Sequence, residues 1–217
     1  MGADADGWLE PEDLLRHGAR HQWPDGKEST LEVVEVCRLA APTAQIAAID
    51  PSWLFCPEDG DCVLAEVPPG DYPVILSIVH FPPTQRFPHG LRSLTAATVQ
   101  VTDRPAVRWE WDQDADGRRL GIGVDTGTGC YYDVANRPVL EALQEHGDRV
   151  DQALHAVHTS RSRFLAVEDE RAAQLVLFEC GMGDGHYPVR IGRDARSTVV
   201  AVMLDLELLS HSTGPIG

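Results

Sequence analysis

At 217 residues and a formal net charge of −16, the chain can bury a full hydrophobic core within one domain, and it repels the phosphate backbone of nucleic acid. Its apolar runs are short, which argues against a membrane span, and the acidic start Met1-Gly2-Ala3-Asp4-Ala5-Asp6 lacks the apolar stretch of a secretory signal. The expectation is a cytoplasmic protein whose partner is a small molecule or another protein, with neither nucleic acid nor membrane involved.

Basic residues are almost all arginine, Lys27 being the sole lysine. The five cysteines (Cys37, Cys56, Cys62, Cys130 and Cys180) are odd in number and form no C-x-x-C pair, so neither a disulfide framework nor a zinc site is expected. Cys37 and Cys180 lie in apolar runs and read as small core residues. Cys56 and Cys62 flank a turn cluster and could face each other across a hairpin.

In chain order, residues 9–17 read as a short helix with acidic residues early and Gly18 as its stop. Residues 19–30 are polar and loop-like. Strand candidates follow at 31–39, 45–49, 62–67, 72–80, 94–101, 106–111, 120–124 and 130–134. Further candidates are 163–167, 174–180, 187–192 and 198–204, with proline and glycine between them. One stretch has a different period. From 138 to 158, Val139, Leu140, Leu143, Val150, Leu154 and Val157 fit an amphipathic helix capped at Asn136, with Gly147 able to split it. Its His146, His155 and His158 are expected to face solvent. The fold class expected is α+β, mostly β: an antiparallel β-sandwich or half-barrel with one main amphipathic helix. Residues 1–30 form a helix-and-loop segment, and 31–217 form a single β-rich domain with the helix near 138–158.

Three glycine-rich corners carry the unusual chemistry. Gly70-Asp71-Tyr72-Pro73-Val74 and Gly183-Asp184-Gly185-His186-Tyr187-Pro188-Val189 repeat one phrase, and Val124-Asp125-Thr126-Gly127-Thr128-Gly129-Cys130-Tyr131-Tyr132-Asp133 lies between them. Asp125, Asp133 and Asp184 are carboxylates in or beside these turns. They could hold a divalent metal or act as general bases, and Cys130 with His186 could form a nucleophile–base pair. Thr126, Gly127, Thr128, Gly129, Tyr72 and Tyr187 are the ligand-binding candidates beside them. The competing reading is structural: aspartates capping turns, tyrosines filling core, and Gly-Asp turn chemistry used twice.

Other motifs are weaker. Asp112, Asp114 and Asp116 before Gly117 match the start of a calcium loop, but Gly123 occupies the position of the closing glutamate, and an acidic hairpin loop explains the same spacing. Residues 124–129 resemble the first phosphate loop of actin-like sugar kinases, which lies near the start of a much longer chain. Gly181, Gly183 and Gly185 have dinucleotide-fingerprint spacing, but Tyr187-Pro188-Val189 does not open the helix that the fingerprint requires.

At Val67-Pro68-Pro69-Gly70-x-Tyr72-Pro73-Val74, Gly123-Val124-Asp125-x-Gly127-Thr128-Gly129-Cys130 with Asp133, and Gly183-Asp184-Gly185-x-Tyr187-Pro188-Val189, the chain resembles the bacterial family catalogued as domain of unknown function 4241. The resemblance runs over residues 50–205, with Met182 standing where a tryptophan is expected. It implies shared architecture and a shared polar corner, and no activity. Two functions remain in play. One is a small-ligand or catalytic site, hydrolytic or metal-assisted, between 125–133 and 183–187. The other is an acidic interaction protein, immunity-like or accessory, with no catalytic activity. Convergence of Asp125, Cys130, Asp133 and Asp184 in one concave pocket would favour the first; scattered carboxylates that cap backbone N–H groups would favour the second.

Overall fold

The computed structural model describes residues 9–52, 63–113, 115–117, 119–145, 147–169 and 172–216. A short helix α1 (Pro11–Leu14) leads into β1 (Arg20–Gln22), β2 (Glu28–Ala41), β3 (Gln45–Ile49), β4 (Val63–Glu66), β5 (Gly70–Phe81) and β6 (Leu91–Gln100). Next come β7 (Arg108–Trp111), β8 (Gly121–Val124), β9 (Thr128–Asp133), α2 (Arg137–Gln144) and α3 (Gly147–Thr159). The chain closes with β10 (Phe164–Glu168), β11 (Ala173–Glu179), β12 (Gly185–Arg193), β13 (Val199–Asp205) and β14 (Gly214–Ile216).

The strands form one curled, half-barrel sheet in the order β4-β3-β9-β11-β2-β5-β6-β13-β12-β7. Among the described residues the pairings are antiparallel apart from one parallel contact of β11 with β2, at Ala173 and Leu39. Curling brings distant strands into one interior. Tyr131 of β9 lies in the same apolar cluster as Val99 of β6 and Val202 of β13. Its hydroxyl donates to the Ala97 carbonyl at 2.9 Å and accepts from the Leu204 N–H at 3.0 Å. A strand near one end of the sheet is thus tied to two strands near the other.

The alternation of β9 sets its two faces. Tyr131 points into the half-barrel, while Cys130 and Tyr132 point outward beneath α2 and α3, against Leu140, Ala153 and Val157. All six residues of β9 are buried, because helices cover the outer face and the curled sheet covers the inner one. The split of the helical stretch follows the sequence reading: α2 ends at Gln144 and α3 begins at Gly147, with Pro138 in the first turn of α2.

Residues 9–30 are more structured than their polar composition suggests. Leu14 is buried with Leu31, Val79 and Met203 in a third apolar cluster, and its carbonyl accepts from Ser77 Oγ at 2.6 Å. The stretch expected to be loop contains β1, which pairs with β2 on one side and β14 on the other. Both short strands lack apolar alternation, so their order comes from pairing across the length of the chain.

Candidate functional site

β12 is long and serves two neighbours on one edge. Its first residues pair with β8 (Gly185 with Val124, His186 with Gly123), and its later residues pair with β7 (Arg190 with Trp111). The excursion between β7 and β8 holds the stretch that matches the start of a calcium loop. It is closed by a bridge of Gln113 to Arg119 and by the Leu120 N–H on the Asp112 carbonyl at 2.7 Å, which is the geometry of an acidic hairpin. Burial raises the Asp112 carboxyl above its ordinary range. Asp116 is exposed, and Asp114 lies outside the described residues, as do Cys56, Cys62 and His146.

After β8 the chain turns from one sheet edge into β9. That turn is fixed by Asp50, a fully buried residue. One Asp50 oxygen accepts from the Asp125 N–H at 2.8 Å, the Thr126 N–H at 2.9 Å and Thr126 Oγ1 at 2.9 Å. The other accepts from the Ser52 N–H at 2.8 Å and Ser52 Oγ at 2.7 Å. Charge-assisted bonds of this kind are the strong ones, and together they leave Asp50 no free lone pair directed at a substrate. At the other end of β9, Asp133 is also fully buried. It accepts from Thr43 Oγ1 at 2.6 Å, the Thr43 N–H at 3.1 Å, the Gln45 N–H at 3.3 Å and the Ala135 N–H at 2.9 Å.

The turn itself packs against the end of α3. Gly127 adopts a positive φ of 62°, and a Cβ there would meet the His158 ring at 3.3 Å and Gly183 at 3.6 Å. The 125–129 and 181–187 corners are therefore in contact. His158 is half-buried, turned onto the corner instead of facing solvent, while His155 is exposed as expected. His158 Nε2 lies 3.1 Å from the Thr126 carbonyl and 3.0 Å from Thr128 Oγ1. A carbonyl only accepts, so Nε2 carries the hydrogen, and the ring braces the turn. Behind it, Arg163 donates to the His158 carbonyl at 2.8 Å and to Glu179 at 3.2 Å.

Two glycines of the 181–185 run are required by geometry. A Cβ on Gly181 would strike the Leu94 carbonyl, and Gly183 takes a φ of 89°. Gly185 lies under the Tyr187 ring, whose hydroxyl donates to the Gly183 carbonyl at 2.7 Å. Tyr72 repeats the device: its hydroxyl donates to the Pro68 carbonyl, with Gly70 beneath the ring. The two copies of Gly-x-Tyr-Pro-Val are one local structure used twice, a tyrosine bonded to the carbonyl four residues back. Both tyrosines are buried in the interior cluster.

The remaining candidates separate. Cys130 is fully buried on the helix-covered face, where burial pushes its thiol up to about 12, so it is not a thiolate at neutral pH. His186 is exposed and belongs to another strand, with its ring over Gly121. Gly129 is closed in by the Phe178 ring, and Thr128 is fully buried. Of the corner carboxylates Asp125, Asp133 and Asp184, Asp125 and Asp184 are exposed. The register of Val124 with Gly185, continued by one residue, sets them opposite each other at the open end of the β8–β12 pair. Neither makes an ion pair among the described residues. No three His, Cys, Asp or Glu side chains among the described residues come together as a metal-ligand set.

The sequence also matches a family model, described as Protein of unknown function (DUF4241), over residues 39–204. The chain belongs to that family. The matched span begins in β2 and ends in β13, so it takes in the half-barrel and all three glycine-rich corners of this DUF4241 protein. Comparison with curated proteins and with solved structures returned no match. No helix among the described residues is long and apolar enough to cross a membrane.

Two contributors to the corner carry little signal in the sequence. Asp50 sits in Asp50-Pro51-Ser52, an Asx-turn pattern that points to capping without naming its distant partners. His158 lies at the end of an amphipathic helix beside buried Val157, and its contact comes from a turn 30 residues earlier.

Proposed function

We propose that this protein is an acidic interaction protein, of an immunity-like or accessory kind, acting in the cytoplasm without catalysis at the glycine-rich corners. The observation that carries the reading is how the carboxylates of the corner divide. Asp50 and Asp133 are buried and saturated by backbone and hydroxyl donors, whereas Asp125 and Asp184 are exposed on two adjoining turns. Like charges facing each other across a strand pair repel, and a cationic side chain supplied by a partner relieves that repulsion. A net charge of −16 draws basic partners to the same surface by long-range attraction.

The experiment is affinity capture with the wild type and with the double variant Asp125→Asn/Asp184→Asn in parallel. The expected result is a basic protein retained by the wild type, released by salt, and absent from the variant capture. Identical captured sets would overturn the reading. A small-ligand or catalytic role at the same corner keeps one supporting feature, the exposed pair Asp125 and Asp184 beside His186. Turnover abolished by Asp125→Asn would favour it.

A further inference from the structure

A second surface carries the opposite chemistry. β5 ends at Phe81 and β6 begins at Leu91, and the connection between them is internally braced. The Thr84 N–H bonds to the Phe87 carbonyl at 2.9 Å, Phe87 N–H to Thr84 Oγ1 at 3.0 Å, and Gly90 N–H to the Phe87 carbonyl at 2.9 Å. Gly90 has a φ of 78°, and a Cβ there would meet the Phe81 carbonyl at 2.6 Å.

A hollow flanks this loop on each side, of about 680 Å³ and 690 Å³. Phe81, Phe87 and Leu91 line both and stand between the two halves of this surface. One half is apolar: Trp23 packs on Phe81 with ring centroids 4.8 Å apart, and Phe87 is 38% exposed with the Arg86 guanidinium over its ring. The other half is basic, walled by His80, His89, Arg92, Arg161 and Arg163 with the hydroxyls of Thr159 and Ser160.

The fixed acids lie behind this wall. Glu32 accepts from His80 at 2.6 Å and Arg92 at 2.8 Å, and Glu179 accepts from Arg163. Arg92 also donates to the Arg161 carbonyl at 2.8 Å, which fixes the backbone that presents the Arg161 side chain, while its Nε is buried without a partner among the described residues. Arg161 is exposed and makes no ion pair among the described residues. A cluster of arginines in a concave wall is unusual for a chain of −16, where general surface charge runs the other way.

We propose that the basic half binds a small organic anion with an apolar ring, the ring lying against Phe87 and Leu91 and the anionic group facing Arg161, Arg163 and Arg92. Volume, an apolar floor and a few converging polar groups are the general marks of a small-molecule site. A guanidinium pair suits a phosphate or carboxylate, and the exposed aromatic face suits a planar ring. The proposal does not rest on the partner reading: Arg163 donates to the His158 carbonyl behind the corner, but neither Asp125 nor Asp184 lines this hollow.

The test is calorimetric titration of the purified chain with three aryl anions: adenosine monophosphate, phenyl phosphate and phenylacetate. Adenosine and inorganic phosphate serve as the separated halves. At least one aryl anion is expected to bind at least about tenfold more tightly than either half. Arg161→Ala is expected to weaken that anion about tenfold, and Phe87→Ala to weaken both it and its uncharged ring parent. Both side chains are exposed, so neither change threatens folding. No binding of any of the three at millimolar concentration overturns the proposal. So does binding that either variant leaves unchanged, or inorganic phosphate binding as tightly as the ring-bearing anions.

Discussion

The Tyr187 hydroxyl donates to the Gly183 carbonyl four residues back at 2.7 Å, and Tyr72 makes the same bond to Pro68 at the opposite corner of the half-barrel. The repeated phrase in the sequence is thus a repeated structural device. Burial raises the Tyr187 phenol above its ordinary range, which keeps it neutral and donating. Tyr187→Phe and Tyr72→Phe are each expected to cost about 1 kcal/mol. The costs should add in the double variant, because the two corners share no partner. Denaturant midpoints of the three variants check this. Strong non-additivity would mean that the corners form one unit.

The glycines beneath these tyrosines differ in a testable way. A Cβ on Gly70 would sit 3.2 Å from the Tyr72 ring, whereas on Gly185 it would sit at 3.6 Å from Tyr187, an ordinary contact. Gly70→Ala is therefore expected to destabilise by about 1–3 kcal/mol, as overpacking does. Gly185→Ala should change stability by less than about 0.5 kcal/mol. Thermal unfolding that ranks them the other way would contradict the geometry.

Asp50→Ala removes the acceptor for five bonds and leaves the N–H groups of Asp125 and Thr126 unpaired. The expected loss is about 3 kcal/mol or more, since hydrogen bonds to a charged group contribute roughly 1.5–3 kcal/mol each and do not sum fully. Asp125→Ala, at an exposed carboxylate with no ion pair among the described residues, should leave the unfolding temperature unchanged or slightly higher. Equal losses from the two would show that the turn is not held by Asp50.

Cys130 should resist alkylation. Its thiol is fully buried and raised to about 12, and the half-buried Cys37 is raised to about 12 by burial with Glu168 and Glu35 nearby. Iodoacetamide at neutral pH should leave both unmodified in the folded protein and modify both in denaturant, as read by peptide mass spectrometry. Rapid native labelling of Cys130 would return it to the list of candidate nucleophiles.

His21 makes stability depend on pH. Its ring is buried with neither nitrogen bonded among the described residues, and burial lowers its folded affinity for a proton below the ordinary value of 6.5, against an opposing pull from Asp13. The unfolded chain therefore binds the proton more readily. Stability from this residue is complete above about pH 6.5 and falls as the pH drops through that value towards the lower folded one. His21→Phe should flatten that part of the pH profile. An unchanged slope would place the acid sensitivity elsewhere.

The β-strands were legible because proline and glycine separate short apolar runs; residues 45–49 form β3 with the bounds the sequence predicts. β1 and β14 were not, because Arg20–Gln22 and Gly214–Ile216 have no apolar alternation and are ordered only by pairing with each other and with β2. At the corner, composition drew attention to Asp125, Asp133 and Asp184 alike. Which of them caps backbone and which faces solvent is decided by partners such as Thr43, some 90 residues away in sequence. The basic groove left no local pattern, since its wall is assembled from β5, β6 and the turn after α3.

The most direct measurement is calorimetric binding of an arginine-rich peptide to the wild type and to Asp125→Asn/Asp184→Asn at physiological salt, with the unfolding temperature of each recorded. The account predicts binding that weakens at least about tenfold in the variant, with no fall in unfolding temperature. Equal affinity for the two proteins would contradict it, because the peptide would then be responding to overall charge and not to the paired carboxylates of the corner.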